Sequence, residues 1–192
     1  MRVRLTIVGS TSLLMHNARL SDPLDYYTKR LKEVSSKRTK TEDDHELMAS
    51  IEFEGGLYLD EETGPYIPAV NLHRCLVEGG KLNKLGRHVE RGVIVEDDTL
   101  PLAYNGPRTA KELWADLNFR SRLSVGVTTS RVMRTRPQFR QWATEADLTV
   151  DTGQLDLEQI GTIAEKAGSM VGLGDYRPRY GRFTVQVTQL QP

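Results

Sequence analysis

Between Gly168 and Phe183 the chain places four glycines, three arginines and two tyrosines. This stretch joins an amphipathic helical pattern to an alternating strand pattern, so any fold must bring a helix end and a strand start together through a tight turn. Glycine adopts positive φ at little steric cost and lets backbone approach backbone or a ligand closely. Arginine adds a planar fork suited to phosphate, and tyrosine adds a ring face on which a base can stack.

The pattern on either side of this junction repeats a simple order. Met1 to Val8 alternates, with Val3, Leu5 and Ile7 on one face and Arg2, Arg4 and Thr6 on the other, which predicts a half-buried strand. Asn17 to Asp44 reads as a long polar loop that could hold a short helix. A basic cluster of Lys29, Arg30, Lys32, Lys37, Arg38 and Lys40 lies within it. Thr41 to Glu54 reads as a helix with Thr41-x-x-Asp44 as its capping signal and Gly55-Gly56 as its stop. Leu57-Tyr58-Leu59 and Gly64-Pro65-Tyr66 suggest a small hairpin.

Pro68 to Gly79 predicts a helix with Val70, Leu72, Cys75, Leu76 and Val77 as its apolar positions. Short strands follow at Gly92 to Val95 and Leu100 to Tyr104, then a turn at Asn105-Gly106-Pro107. Arg122 to Met133 reads as an extended hairpin arm, and Phe139 to Val150 as one strand with Trp142, Ala146 and Leu148 inward. Asp156-x-x-Gln159 opens a helix whose inner face is Ile160, Ile163, Ala164, Ala167 and Val171. Phe183, Val185 and Val187 alternate through a closing strand.

The long elements therefore run β, insertion, α, β, insertion, β, α, β. That order predicts an α+β fold of the ferredoxin-like, RNA-recognition-motif-like βαββαβ kind. It forms a single domain over 1–192, with insertions at about 10–66 and 105–137.

Charge is balanced, with 26 Lys and Arg against 26 Asp and Glu, which excludes a uniformly basic binder. It is also segregated. Leu117 to Thr144 holds Arg120, Arg122, Arg131, Arg134, Arg136 and Arg140 and no acid, whereas acids gather at 42–46, 60–62 and 96–98. Separated patches suit a polyanion on one face and a second copy on another.

Gly172-x-Gly174 follows a helix and precedes a strand, which excludes the dinucleotide-binding fingerprint; no Gly-Lys-Ser/Thr is present for a Walker loop. What remains is a loop whose N–H groups, with Arg177 and Arg179, could hold a phosphodiester. On the strand, Arg134 and Arg136 should project together with Arg140 further along, and Arg131 nearer the arm's tip, in reach of a phosphate backbone. Met133 could wedge between bases, and Lys37, Arg38 and Lys40 could extend the track.

His16, His45, His73 and His88 include no i, i+4 pair, so no helical zinc site is expected, and no cofactor is implied. His16-Asn17 after the first strand is a candidate polar contact to a ligand. Cys75 is the only cysteine, no apolar run is long enough to cross a membrane, and the first residues do not read as a secretory signal. The expected compartment is the cytoplasm.

On these residues the chain resembles the RAMP superfamily of CRISPR-associated proteins, and within it the backbone subunit that polymerises along guide RNA. The likeness rests on Gly172, Gly174, Arg179, Gly181 and Phe183 before the last strand. It rests also on His16-Asn17 ahead of a long insertion, and on the arm from Arg122 to Arg136 as a thumb on a palm. Compact single-chain forms of this kind resemble bacteriophage-encoded proteins, whose compartment is the host cytoplasm. The resemblance implies a modified RNA-recognition fold, binding of single-stranded RNA or DNA without catalysis, and head-to-tail self-assembly into an oligomer or filament. Two other functions stay open. One is a metal-independent endoribonuclease of the same superfamily with His16 as base. The other is a phage inhibitor module that binds protein.

Overall fold

The computed structural model describes residues 1–127 and 130–191. Strands β1 (Arg2–Gly9) and β2 (Leu13–Leu14) lead into helices α1 (Tyr26–Ser35) and α2 (Glu42–Gly56). There follow β3 (Leu59–Asp60), β4 (Gly64–Pro68), α3 (Ala69–Lys81), α4 (Gly86–Gly92), β5 (Val93–Val95) and β6 (Thr99–Pro101). The chain ends with α5 (Ala110–Ala115), β7 (Arg120–Val127), β8 (Ser130–Phe139), β9 (Ala143–Val150), α6 (Leu157–Lys166) and β10 (Phe183–Gln189). It is a mixed α+β fold, and no helix among the described residues is long and apolar enough to cross a membrane.

Alternation in β1 places it at the centre. Val3, Leu5 and Ile7 are fully buried, and β1 pairs antiparallel with β10 on one side and β9 on the other, so that Leu5 stands between Val187 and Ala146. The four-stranded sheet has the order β10-β1-β9-β5. Its inner face meets α3 through Leu72, Cys75 and Leu76, and α6 through Ile160, Ile163 and Ala164, in one apolar cluster. Both capping signals form. Thr41 and Asp44, and Asp156 and Gln159, close reciprocal boxes at the starts of α2 and α6. Two three-stranded sheets, β2-β8-β7 and β3-β4-β6, carry the additional segments.

Several expectations are corrected. The stretch Asn17 to Asp44, read as a long loop that could hold a short helix, holds the ten-residue α1, capped by Asp25, and also a 3-10 turn at Ala18–Ser21 that was not expected. Val34 is the only buried residue of α1, so the helix lacks the apolar stripe that periodicity detects. Val70 is 70% exposed on α3, and after α6 the chain widens into a π turn, Ala167–Val171, which leaves Val171 half-buried. Phe139 to Val150 is not one strand. The chain bends at Arg140 and Gln141 and crosses from the β7–β8 hairpin into the four-stranded sheet. Trp142 anchors this corner: its ring is buried, its Nε1–H donates to the Thr11 carbonyl at 2.9 Å, and its own carbonyl accepts from the Gly9 N–H at 2.8 Å.

Candidate functional site

The two arginine-bearing stretches, far apart in sequence, meet across β2. The glycine loop after α6 folds back on Ser12–Leu14 while β8 pairs with Leu13–Leu14 from the other side. The Asp175 N–H donates to the Leu14 carbonyl and the Gly181 N–H to the Ser12 carbonyl, both at 2.8 Å. The Gln138 side chain reaches the Ser12 hydroxyl at 3.1 Å. An ion pair between Arg136 and Asp175 then joins the strand directly to the loop.

The loop glycines answer to this packing. Gly174 and Gly181 have φ of +75° and +74°, and a Cβ would lie 2.3 Å from the Leu14 oxygen at the first and 1.7 Å from the Leu173 oxygen at the second. The N–H groups of Gly172, Leu173, Asp175, Tyr180, Gly181 and Arg182 all donate within the protein. They therefore do not form the cradle for a phosphodiester that the sequence suggested. Gly172 is buried, and its carbonyl accepts from the Cys75 thiol at 3.2 Å. Burial pushes that thiol up to about 12, so Cys75 is held as an uncharged donor beneath the loop.

A groove runs along this junction. It begins as a cavity of about 660 Å³ under Tyr176, Pro178, Met170 and Leu82. Arg74, Gly174, Asp175 and Arg177 also line a smaller cavity of about 150 Å³ with Tyr58, Asn71 and His16. His16 is shared in turn with a cavity of about 250 Å³ holding Leu20, Leu31, Glu52, Arg134 and Arg136. Glu52, Arg134 and Thr135 continue into a larger space, about 990 Å³, between α2 and the β7–β8 hairpin. There the hairpin wall presents Arg120, Arg122 and Arg134, with Met133 50% exposed, and the α2 wall presents Glu42, Glu46 and Glu52. The Arg120 guanidinium stacks over Trp114, 4.2 Å from the ring centroid.

The arginines along this groove differ in how free they are. Glu52 is buried on α2 and binds both the Arg134 guanidinium and, at 2.9 Å, the Thr135 N–H. Arg136 keeps only 13% of its side-chain surface exposed and faces Asp175 at ion-pair distance without hydrogen-bond alignment. It is an internal tie and not an open phosphate contact, and Arg134 is shared with Glu52. Arg74 is exposed and pairs with Glu78 one turn away on its own helix. Arg177 and Arg122 are exposed and have no carboxylate partner among the described residues. Arg177 makes only a 3.5 Å contact to the Gly172 carbonyl.

Of the other expected residues, Asn17 is structural: its amide caps the 3-10 turn through the Arg19 N–H and donates to the Leu57 carbonyl. Lys37 is tied to Asp44 at 2.6 Å, and Lys40 to the Lys37 carbonyl at 2.8 Å. With Arg38 they stand on the α1–α2 connection and line none of the four cavities. Arg131 is exposed near the hairpin tip and held to Ser124, at 3.0 Å through its Nε–H; Arg140 is exposed at the bend, and Arg179 is exposed on the loop. Thr128 and Thr129 lie outside the described residues. Sequence reasoning missed Arg74. Its signal is the polar stripe Asn71, Arg74, Glu78 on α3, spaced i, i+3, i+7 opposite the apolar face.

His16 sits where two cavities meet. Loss of water around the ring holds its pKa below 6.5, assisted by Arg136 and Arg134 and opposed by Asp175 and Glu52. A lowered pKa means the unfolded chain binds the proton more readily, so this group costs stability as pH falls through the range near 6.5. A phosphate beside the ring reverses the preference and favours the imidazolium. Affinity for a phosphate-bearing ligand is therefore expected to rise from pH 7.5 to 5.5, by at most about tenfold per pH unit. His16→Gln should flatten that dependence, and titrating binding at the two pH values checks it.

The open face of the four-stranded sheet carries different chemistry. Arg4 makes a two-pronged contact with Asp147 at 2.7 and 2.8 Å, Arg2 pairs with Glu96, and Thr149 donates to Glu96 at 2.8 Å. These bonds bring Glu96 down to about 2. The remaining residues of this face, Thr6, Val8, Ile94, Ala143, Glu145, Thr184, Gln186 and Thr188, include no aromatic ring. A sheet face that reads RNA stacks bases on aromatic side chains, and this one has a self-paired charge ladder in their place. No protein-family model matches the chain, and no curated protein is similar to it in sequence.

Proposed function

We propose that this protein binds single-stranded nucleic acid by its backbone, along the groove that runs from the glycine loop and α3 past His16 to the cleft between α2 and the β7–β8 hairpin. The observation that carries the reading is the convergence of Arg74 from α3, Arg177 from the glycine loop and His16 from the segment just after β2 on one small cavity, with Tyr176 exposed beside it. Guanidinium forks with an adjacent ring face are the parts from which phosphate-tracking, base-stacking grooves are made. The hairpin wall of Arg120 and Arg122 would continue the track.

The sheet order β10-β1-β9-β5, with α3 and α6 behind it, supports a ferredoxin-like reading of the core. In that reading the hairpin would serve as a RAMP-type thumb and the glycine loop as the loop of its palm. On that reading, copies would line up head to tail along a longer strand.

A salt titration with single-stranded RNA and DNA oligonucleotides tests the function. About four accessible arginines predict a slope of log affinity against log salt near −2 to −3, from a factor of about 0.7 per phosphate contact. Binding independent of salt, or absent at low salt for both polymers, would overturn it. Capture of a protein that survives nuclease treatment would favour the inhibitor module in its place.

A further inference from the structure

We propose that β10 is a two-fold interface at which a second copy of this chain adds its own β10, making a continuous eight-stranded sheet. The inference uses a different surface from the groove and does not depend on it.

β10 is an edge strand. It bonds to β1 on one side and, among the described residues, to no strand on the other. The register decides which backbone groups are left over. The Leu190 N–H donates to the Arg2 carbonyl at 3.0 Å, and the Arg182 carbonyl accepts from the Ser10 N–H at 2.8 Å. Antiparallel alternation then turns the N–H and C=O groups of Thr184, Gln186 and Thr188 toward β1, and those of Val185, Val187 and Gln189 outward.

Proteins guard such edges with charge, proline, bulges or brevity. The opposite edge is β5, three residues long and followed by Glu96-Asp97-Asp98. β10 runs seven residues, Phe-Thr-Val-Gln-Val-Thr-Gln, with no charge, no proline and no glycine. One edge is protected, and the other is left as a template.

The sequence of that template matches itself. Thr184-Val185-Gln186-Val187-Thr188 reads the same in both directions, so a two-fold axis through Gln186, which makes residue i meet j and j meet i, sets like residues against like. Antiparallel pairing about Gln186 sets each Thr184 opposite Thr188 of the second copy and each Val185 opposite Val187. Both valine pairs fall on outward-facing groups and so exchange two hydrogen bonds each, while Gln186 meets Gln186 as a non-hydrogen-bonded pair. Faces agree as well. Thr184, Gln186 and Thr188 are exposed on the open side, and the half-buried Val185 and Val187 pack against the core on the helix side. Centring the pair one residue earlier, on Val185, would place Arg182 against Thr188 and lose the match of like with like.

The test combines sedimentation with cysteine crosslinking on the nuclease-treated full chain. At micromolar concentration the protein is expected to sediment at twice the 21.7 kDa of one chain, and Val187→Lys is expected to return it to one. An unchanged circular dichroism spectrum and melting temperature would show that this variant still folds. Cα atoms of a non-hydrogen-bonded antiparallel pair lie about 4.5 Å apart, within disulfide range. Gln186→Cys should therefore crosslink to a dimer under mild oxidation. Thr184→Cys alone should not, because its copy lies about 13 Å along the ladder; mixed with Thr188→Cys it should. Cys75 is buried and stays silent. A monomer whose Gln186→Cys form does not crosslink overturns the interface. A dimer in which Gln186→Cys fails, or in which Thr184→Cys alone crosslinks equally well, overturns it too.

Discussion

Gly181→Ala is expected to lower stability by about 3–5 kcal/mol, a large share of the roughly 5–15 kcal/mol that native proteins typically have. Gly181 holds φ at +74°, where an L side chain costs about 1–2 kcal/mol. Its Cβ would sit 1.7 Å from the Leu173 oxygen and 2.9 Å from the Leu173 nitrogen, so the two loop strands must separate. Separation breaks the Leu173 N–H to Gly181 carbonyl bond and the Gly181 N–H to Ser12 carbonyl bond, both 2.8 Å, at about 1 kcal/mol each. The control is Gly161→Ala on α6, where a Cβ meets nothing within 4 Å. There the removal of helical glycine should stabilise by about 0.5–1 kcal/mol. Urea denaturation of the two variants against the parent checks both signs. A Gly181→Ala midpoint within about 1 kcal/mol of the parent would show that the loop is not clamped on β2 as described.

That contrast shows what a sequence reveals about a glycine and what it conceals. The cluster at 168–181 marked a special turn correctly, but its purpose follows from Ser12–Leu14, more than 150 residues away, which supplies the carbonyls that the loop's N–H groups find. The strongly periodic elements were legible: β1, β10, α3, α6 and the two capping boxes depend on neighbours in the chain. α1 was legible only as a short helix that the loop could hold, without bounds, because a helix with a single buried residue owes its place to Tyr27 against Gly55 and to Arg19 over the Tyr27 ring. The break at Arg140 did leave a trace, a change of phase: the inward positions are Thr135, Pro137 and Phe139 before it and Trp142, Thr144 and Ala146 after it, and the Trp142 contacts with Gly9 and Thr11 turn the chain there.

The candidate site divides along the same line. Arg134 and Arg136 stood out by their spacing, yet Glu52 and Asp175 arrive from α2 and the glycine loop and occupy both guanidinium groups. Residue type and strand parity place an arginine on a face; they do not say whether an acid from elsewhere already holds it. Arg74 shows the converse, an unremarked residue on a polar helix stripe that becomes a groove wall once α3 packs under the sheet.

The double change Arg74→Ala with Arg177→Ala is therefore expected to weaken oligonucleotide binding by roughly 100-fold at 0.1 M salt. Each lost charge-assisted contact is worth about 1.5 kcal/mol. With two of about four phosphate contacts gone, the salt slope should become shallower by about 1.4. Arg2→Ala with Arg4→Ala removes the same charge from the open face of the sheet, where both guanidinium groups are held by Glu96 and Asp147. Binding should then stay within about twofold of the parent, with an unchanged slope, because no phosphate contact is lost. Charge alone does not separate these variants, since both remove two arginines from a neutral chain. What separates them is position, the groove beside His16 against the face that an RNA-recognition module would use. Fluorescence anisotropy with a labelled oligonucleotide measures both affinities across salt. Equal losses in the two variants would mean that the strand responds to net charge and not to the groove. A loss confined to Arg2 and Arg4 would move the binding face to the open sheet.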